Sequence, residues 1–380
     1  MRYRELSFTR PPIGFRDFYS AGVFVNRELD QAVEVYFKHM TDEGHGKGQE
    51  NPLHLDQFRG KIQPFNGTAN GLYTQRCDYV NCLHGAFEQW HPDHLDITAP
   101  LSDGEYATQL LARTNPNRYA LNGPVSVLEL RDLPRMVKLA GDSILKNAAG
   151  GYLSWQFGWK PLLSDLRKLL DFNHLVDKKV GELEALSKAG GLHRKRTFGP
   201  GRGNSLVERD THTDNILCLD FFGVRCFLDY RRTTHLEKWG TTKWYPLFPL
   251  PKDAASKRRL AKQIVFGLEL SPANIWEAMP WSWLIDWYSN VGDYLSIYNN
   301  VVLVTHTPVC IMTRSTTQAT FARTDHVTEI DGGNGSWTYQ TKIRSIVSPT
   351  LNFGAPPFLT DRQLSILGSL AILRLPGGRH

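Results

Sequence analysis

Five cysteine and histidine residues that lie close together in the sequence are the first candidates for metal chemistry. They are Cys77, Cys82, His84, His91 and His94. Their spacing, C-x4-C-x-H-x6-H-x2-H, does not match the usual zinc-finger patterns, and Pro92 interrupts any helix that could align the last two histidines. We therefore predict surface histidines and buried thiols here, with a zinc site as the less favoured alternative.

The sequence contains none of the common catalytic motifs: it has no GxxxxGK(S/T) loop, no GxSxG elbow and no HExxH pair. Asp286, within WSWLIDWY, has the most apolar neighbours of any carboxylate, and we expect it to be buried. A buried carboxylate can serve catalysis, but more often it caps a neighbouring helix or pairs with an arginine. Because no second carboxylate or histidine lies at a useful spacing, we predict a structural role for Asp286 and a protein that is not an enzyme and uses no cofactor.

Positive charge is concentrated in one part of the chain. The formal net charge is +6, and residues 192–262 carry 15 Lys and Arg against 7 Asp and Glu. This concentration favours binding to nucleic-acid phosphates, with a solvated basic face as the alternative. The interleaved Tyr230, Trp239, Trp244 and Tyr245 either stack on unpaired bases or lie in the core. We assign RNA contact to ten cations: Arg194, Lys195, Arg196, Arg202, Arg231, Arg232, Lys243, Lys257, Arg258 and Arg259.

The sequence predicts several helices, and one of them carries some of these cations. The spacing of apolar residues predicts a helix over Arg27–Met40, a second from Ser126 to Ala149 that stops at Gly150, and a third from Trp159 to Leu186 with a break near Gly181. Further helices are predicted at 253–269, 272–297 and 360–373, the last with Thr360 as its N-cap.

Strand patterns alternate with these helices. Residues 215–235 predict one strand, on which Cys218 and Cys226 lie too far apart for a disulfide, and residues 301–347 predict hairpins around Asp331–Gly335. The fold class is therefore α+β, with a helical bundle region and an antiparallel β-sheet region that are each built from discontinuous segments. The β and loop region is predicted at 1–125, 192–250 and 300–350, and the helical region at 126–190, 253–298 and 360–375.

Two tryptophan-rich segments are more specific than core packing requires. The first, Trp155 to Leu166, reads W-Q-F-G-W-x-P-L-L-x-D-L, and the second, Ser271 to Asp293, reads S-P-x-x-I-W-E-x-x-P-W-S-W-x-x-D-W-x-x-N-x-G-D. In the second, Trp276, Trp283 and Trp287 are spaced for one face of a helix. The signature residues, to which we assign an architectural role, are Trp155, Trp159, Pro161, Asp165, Trp276, Pro280, Trp283, Asp286 and Trp287.

Together these segments closely resemble the maturation proteins (A proteins) of the single-stranded RNA bacteriophages, the leviviruses. The resemblance is strong over about 150–300, weaker at 360–374, and does not extend to 1–125. It implies a single-copy virion component that binds the genomic RNA, including a hairpin near the 3′ end, and takes the place of a coat-protein dimer in the capsid. It also implies attachment of the virion to a host pilus before genome entry, and an elongated body with its helical bundle region toward RNA and capsid and its β region outward.

The expected location follows from the same considerations. The N-terminus has no secretory signal and the sequence has no apolar run long enough to cross a bilayer, so we predict synthesis in the bacterial host cytoplasm, no membrane insertion and a final place in the virion. Two alternatives stay open. One is a general RNA-binding module unrelated to phage, and the other is a maturation protein with an added lysis activity that inhibits a host cell-wall enzyme.

Overall fold

The chain folds into two compact units, each assembled from separate stretches of sequence. Unit 1 comprises residues 1–102, 196–240 and 310–346, and unit 2 comprises residues 103–195, 241–309 and 347–380. The computed structural model describes residues 2–42, 51–83, 92–121, 144–156, 160–188, 190–199, 205–222, 224–267, 271–279, 282–299, 301–324, 329–353 and 360–374. The units change at 102, 195, 240, 309 and 346, whereas the predicted regions changed at 125, 192, 250, 300 and 350.

Antiparallel strands dominate the first unit, and helices are concentrated in the second. The described strands are β1 (Arg2–Arg10), β2 (Phe15–Ser20), β3 (Val23–Leu29), β4 (Val33–Asp42), β5 (Leu53–Ile62), β6 (Phe65–Asn70), β7 (Gln75–Cys82), β8 (Leu192–Phe198), β9 (Ser205–Phe221), β10 (Val224–Pro246), β11 (Val304–His306), β12 (Val309–Arg323), β13 (Ile330–Asp331) and β14 (Gly335–Val347). The described helices are α1 (Asp103–Thr114), α2 (Ile144–Ser154), α3 (Lys160–Leu170), α4 (Phe172–Leu186), α5 (Ala254–Phe266), α6 (Pro272–Ala278), α7 (Ser282–Ile285), α8 (Val291–Ser296) and α9 (Asp361–Arg374). This mixture agrees with the α+β prediction.

Two sheets enclose the core of unit 1. The nine-stranded sheet has the order β1-β4-β5-β14-β12-β10-β11, with β8 and β9 also pairing with β10, and the five-stranded sheet has the order β13-β6-β7-β2-β3. Buried Phe58 and Trp337 from the first sheet join buried Phe65 and Tyr79 from the second in one apolar cluster. Because strand side chains alternate between faces, each sheet contributes one apolar face to this cluster.

Helix pairs organise unit 2. Helix α4 packs on α5, α2 on α9, and α1 on α8. The apolar faces of α4 and α5 bury Val176, Leu183, Ile264 and Val265, and the Phe172 and Phe266 rings meet edge to face at 5.2 Å. Among the described residues, no helix is long and apolar enough to cross a membrane.

The helix predicted over Arg27–Met40 is wrong, because this stretch forms strands β3 and β4. Val33, Val35 and Phe37 alternate with more polar residues, and β4 pairs with β1 on one side and with β5 on the other. Pairing on both edges stabilises the extended conformation against the weaker helical spacing. Helix α1 was missed inside the region predicted as strand and loop, although Asp103 and Glu105 in its first turn are a favourable start.

Glycine was given too much weight as a helix breaker. Helix α2 continues through Gly150 and Gly151 to Ser154, and α4 continues through Gly181. The break in the Trp159–Leu186 prediction lies instead at Asp171, between α3 and α4. A glycine costs a helix only about 1 kcal/mol, which packing against a neighbouring helix can offset. Ser126 and the first part of its predicted helix lie outside the described residues.

The predicted helix over 272–297 is three short helices, α6, α7 and α8. Met279 is extended, with φ −75° and ψ 130°, because a residue before proline is kept out of the helical conformation. Trp276, Trp283 and Trp287 therefore do not lie on one helical face.

The strand predicted over 215–235 is also divided. Phe221 pairs with Val224, which closes a hairpin between β9 and β10. Cys218 and Cys226 thus lie on neighbouring strands rather than on one strand, and the separation argument for them was wrong.

Predictions based on local signals were right at two other places. Strands β12 and β14, from the 301–347 segment, are neighbours in the first sheet. At the start of α9, the Gln363 N–H donates to Thr360 Oγ1 at 3.4 Å and the Thr360 N–H donates to Gln363 Oε1 at 2.8 Å. This reciprocal pair makes Thr360 the N-cap, as predicted.

Candidate nucleic-acid interface

The ten predicted RNA-binding cations are divided between the two units. Those in unit 2 are Arg194, Lys195, Lys243, Lys257, Arg258 and Arg259, and those in unit 1 are Arg196, Arg231 and Arg232. Arg202 lies outside the described residues. The densest group belongs to helix α5.

Helix α5 exposes three of its four cations on the side opposite its buried face. Its N-cap is Asp253, whose Oδ2 accepts a 2.7 Å hydrogen bond from the Ser256 N–H, and it ends at Gly267 in the left-handed conformation. The burial of Ala261, Ile264 and Val265 turns the opposite side outward. That side exposes Arg258, Arg259 and Lys262. The helix carries four cations and no carboxylate.

Carboxylates of α4 pair with two of these cations. Arg258 Nη1 lies 2.7 Å from Asp177 Oδ1, and Lys257 Nζ lies 3.6 Å from Glu184 Oε1. The Asp177 and Glu184 side chains are more than half exposed. Ion pairs in such surroundings are weak, about 0–1 kcal/mol. A phosphate can therefore displace either carboxylate at little cost.

Arg194 is held more firmly, by the half-buried Glu182. Glu182 Oε1 lies 2.9 Å from Arg194 Nη2, and its Oε2 lies 2.7 Å from Lys179 Nζ, which also donates to the Pro116 carbonyl at 3.2 Å. Burial alone would raise the pKa of Glu182, but the charges of Lys179 and Arg194 more than offset burial, and the pKa is lowered. Arg194 thus takes part in the packing between α4 and β8.

Arg232 is also mostly buried and forms ion pairs within the protein. Its side chain is only 17% exposed, and its guanidinium nitrogens lie 2.5 Å from Asp93 Oδ1 and 3.4 Å from Asp210 Oδ2. Burial alone would lower the pKa of Arg232, but the hydrogen bond to Asp93 and the charges of Asp93 and Asp210 together outweigh burial, and the pKa is raised. Arg231, the next residue of β10, is exposed. Of this pair, Arg231 is the residue that faces solvent.

The interleaved aromatics belong mainly to the interior. Trp244 and Tyr230 are buried, and the Trp244 indole N–H donates to Thr114 Oγ1 at 3.2 Å. Trp239 lies under the Arg314 guanidinium at 5.8 Å. For Trp244 and Tyr230 the core interpretation is therefore correct. Lys243, the residue before Trp244 in β10, is half-buried, and its backbone N–H donates to Thr307 Oγ1.

Sequence reasoning missed two exposed cations of this face, Lys178 on α4 and Lys262 on α5. Lys262 follows Arg258 by four residues, so helical spacing places both on one side. That signal was present in the sequence. With Arg258 and Arg259, these residues give unit 2 a surface that can contact several phosphates.

The tryptophan segments lie on short helices and turns of unit 2. Trp155 follows α2 and is half exposed; Pro161 and Asp165 are in α3, Trp276 is in α6, and Trp283 is in α7. Trp159 and Pro280 lie outside the described residues, and Trp287 follows α7.

Asp286 is exposed, which corrects the prediction that it is buried. Its carboxylate accepts hydrogen bonds from the Trp276 indole N–H at 3.1 and 3.2 Å and from the Gly292 N–H at 2.9 Å. Gly292 is in the first turn of α8, so Asp286 ties that turn to α6. These contacts fit the helix-capping role predicted for Asp286 and not a pair with an arginine.

The cysteine and histidine cluster has separate environments for its described members. Cys77 and Cys82 are buried, and burial raises the pKa of Cys77 to about 11. His94 lies between Thr317 Oγ1 at 2.7 Å and Thr341 Oγ1 at 3.0 Å and stacks on Tyr339. His84 and His91 lie outside the described residues. Within the described part of the chain, no three His, Cys, Asp or Glu side chains converge on a possible metal position.

Comparison with known proteins adds one similarity. No protein-family model matches the chain. Over 259 residues the chain is 26% identical to Maturation protein A2 of Escherichia virus Qbeta. The chain is similar to a phage maturation protein. The match covers 65% of this chain and 54% of that protein, so the chain spans about half the length of the curated relative it matches.

This similarity supports a distant relationship to the proteins that the tryptophan segments resemble. The relative is a maturation protein and not an enzyme, which agrees with the prediction of a non-enzymatic chain.

Proposed function

We propose that this chain is the maturation protein of a single-stranded RNA bacteriophage, carried as one copy in the virion. The observation that carries the proposal is the similarity to Maturation protein A2. The two tryptophan-rich segments, which lie on or beside α2, α3 and α6–α8 of unit 2, resemble the same class of proteins. The chain would be made in the bacterial host cytoplasm and would need no cofactor.

In this proposal the helical region of unit 2 forms a bundle that binds the genomic RNA, including a hairpin near the 3′ end. The exposed Arg258, Arg259 and Lys262 on α5 support this role, because they can neutralise neighbouring phosphates. RNA helices are recognised largely by shape and backbone, which suits a helical surface that presents several cations.

The remaining roles concern the particle. The chain would take the place of a coat-protein dimer in the capsid and attach the virion to a host pilus, with the β region outward. The similarity to a maturation protein supports these roles only through that relationship.

Crosslinking of the RNA bound to the co-expressed protein, followed by sequencing across a salt series, tests the RNA role. We expect discrete genomic hairpins, one of them near the 3′ end, with crosslinked peptides from 192–262. Uniform, salt-labile recovery of RNA would contradict the proposal.

A charge variant sharpens this test. Replacing Arg258, Arg259 and Lys262 together with glutamine should reduce the salt slope of RNA binding by about 2–3, because each lost phosphate contact removes about 0.7–0.9 from the slope. Lys61→Gln, an exposed cation on β5 of unit 1, is the control and should leave the slope unchanged. An unchanged slope in the triple variant would exclude this face as the RNA interface.

A further inference from the structure

An irregular segment of unit 1, residues 92–102, contacts three neighbouring strands of the first sheet. It contains no helix or strand, and its first residues are held by polar contacts. Asp93 pairs with Arg232 of β10. His94 bonds to one threonine on β12 and another on β14, and the Leu95 N–H donates to a threonine on β10. We call residues 92–102 the strap.

Threonine hydroxyls hold His94 at both nitrogens of its ring. Its Nδ1 lies 2.7 Å from Thr317 Oγ1, and its Nε2 lies 3.0 Å from Thr341 Oγ1. Thr317 Oγ1 also lies 2.7 Å from Thr234 Oγ1, which accepts the Leu95 N–H at 3.0 Å. Thr317 and Thr234 are 0% and 1% exposed. A hydrogen bond that either hydroxyl loses is therefore not replaced by one to bulk solvent.

The number of available hydrogens fixes the protonation state of His94. The two contacts that join Thr234, Thr317 and Nδ1 need one hydrogen each. If Nδ1 carries no hydrogen, the Thr234 hydroxyl donates to Thr317 and the Thr317 hydroxyl donates to Nδ1. The Nε2–H then donates to Thr341. A neutral imidazole with its hydrogen on Nε2 thus satisfies all three contacts.

A second proton on the ring does not fit this arrangement. An Nδ1–H must donate to Thr317, which turns the Thr317 hydroxyl toward Thr234 and displaces the Thr234 hydrogen. Within the described part of the chain, neither hydroxyl has a further hydrogen-bond acceptor. A buried hydroxyl without an acceptor is unfavourable. Protonation of His94 therefore opposes the closed position of the strap.

The carboxylates near His94 favour its protonation, but each has a partner of its own. Asp93 of the strap lies 2.5 Å from Arg232 of β10, and Asp56 of β5 accepts from the Tyr339 hydroxyl of β14 at 3.3 Å. Burial is the largest influence and lowers the pKa of His94 below its ordinary value of 6.5, although both carboxylates raise it. Further titratable groups next to these side chains are His54, Asp210 and Tyr230.

The strap covers an aromatic part of unit 1. His94 stacks on Tyr339 with ring centroids 4.6 Å apart. Phe37 meets Tyr339 edge to face at 6.3 Å and stacks on buried Phe58 at 5.4 Å. Pro92, at the start of the strap, lines a cavity of about 360 Å³ together with Phe37 and Phe58. Opening of the strap would therefore expose aromatic surface.

We propose that the strap is an acid-released latch in which His94 is the sensing residue. At neutral pH the uncharged imidazole fastens the strap to β10, β12 and β14. In acid the protonated ring breaks the chain of hydroxyls, and the strap opens over the aromatic rings. The proposal does not depend on the proposed function, because it uses only contacts within unit 1.

The direction of the pH effect follows from the lowered pKa of His94. The open strap binds the proton more readily than the closed strap. Opening should therefore be rarest above pH 6.5, rise by up to tenfold per pH unit below it, and level off below the lowered folded value.

Hydrogen exchange of the Leu95 amide tests the proposal in the full chain, because that N–H donates to Thr234 Oγ1 in the closed strap. Rates at pH 7.5 and pH 5, each divided by the intrinsic rate at that pH, give the change in opening. We expect an increase of at least fivefold in the wild type, the factor that corresponds to about 1 kcal/mol for a buried unpaired hydroxyl.

Two variants separate His94 from a general effect of acid. His94→Gln keeps an acceptor and a donor but takes up no proton, so its opening should not rise. His54→Gln, at a side chain that is 52% exposed in the same unit, is the matched control and should respond like the wild type.

Two results would overturn the latch. One is a wild type whose opening rises in acid no more than that of His94→Gln. The other is an imidazole nitrogen-15 spectrum, with His94 assigned through its contact with the Tyr339 ring, that places the hydrogen on Nδ1 at neutral pH. The spectrum needs only the wild-type chain, so it decides the matter even if His94→Gln does not fold.

Discussion

Glu182 is a residue at which charge and stability are linked. Its carboxylate holds Lys179 and Arg194 at 2.7 and 2.9 Å while its side chain is only 21% exposed. Glu182→Gln should lower the free energy of unfolding at pH 7 by about 1.5–3 kcal/mol, the usual range for hydrogen bonds to charged groups. Urea unfolding measures this. Glu184→Gln, whose side chain is 54% exposed at 3.6 Å from Lys257, is the control and should cost at most about 1 kcal/mol.

The difference in unfolding free energy between the wild type and Glu182→Gln should decrease as the pH falls. The pKa of Glu182 in the folded chain is lower than its ordinary value of 4.5, so the ionised carboxylate stabilises the fold. This contribution is complete above the ordinary pKa and is lost as the pH falls through the lowered folded value. The gap between wild type and Glu182→Gln should therefore close in acid. A gap that stayed constant down to pH 3 would contradict the assignment.

A carboxylate on α4 competes with RNA phosphates for a cation on α5. Asp177 on α4 neutralises Arg258 on α5, and an incoming phosphate must displace it. Asp177→Asn should therefore raise RNA affinity about two- to fivefold, the factor that corresponds to an exposed pair of up to about 1 kcal/mol. Filter binding at low salt measures this change.

The control for this variant lies on the same helix. Asp171 is the exposed N-cap of α4 and belongs to none of the described ion pairs, so Asp171→Asn should change affinity less than Asp177→Asn. Equal gains in both would mean that general charge, rather than release of Arg258, governs binding.

A cap, helix or strand could be predicted where the interaction that stabilises it lies between residues close in sequence. The Thr360 cap depends on a residue three positions away and was predicted correctly. Strands β12 and β14 are neighbours, but Asp331, predicted in the turn between strands, belongs to β13 and pairs with Asn66 of β6 in the second sheet. The strands at Arg27–Met40 depend instead on the pairing of β3 with β2 and of β4 with β1 and β5, which periodicity within the stretch does not contain. The proline at 280 was visible, and its effect on Met279 was the missed signal.

In the candidate nucleic-acid interface, too, features that depend on nearby residues could be predicted and those that depend on distant residues could not. A helix was predicted at 253–269, and α5 (Ala254–Phe266) carries Lys257, Arg258 and Arg259 of the predicted cations. Their contact with RNA stays a prediction. The sequence did not separate Arg232, paired with Asp93, from Arg231 beside it. Arg258 and Asp177 are 81 positions apart, so only the fold shows which cations are already paired.

At the scale of the whole molecule, the core of unit 1 is completed late along the chain. It joins Phe58 and Cys77 from the first stretch, Cys226 from the second, and Phe321 and Trp337 from the third. Strands β14 and β12 lie between β5 and β10 in the sheet. The N-terminal strands therefore have no complete sheet to pack on until residues beyond 310 are present, and such distant contacts fold slowly.

A fragment of residues 1–300 should accordingly leave the thiols of Cys77 and Cys226 open to alkylation, although both are buried in the intact chain. We expect alkylation, measured residue by residue with mass spectrometry, to be on the order of a hundredfold faster in the fragment, because an opening free energy of about 2.7 kcal/mol already gives that factor. The full chain in concentrated urea sets the upper rate. Equal protection in fragment and full chain would mean that the two N-terminal stretches close a core without β12 and β14, and the strand order would then have to be revised.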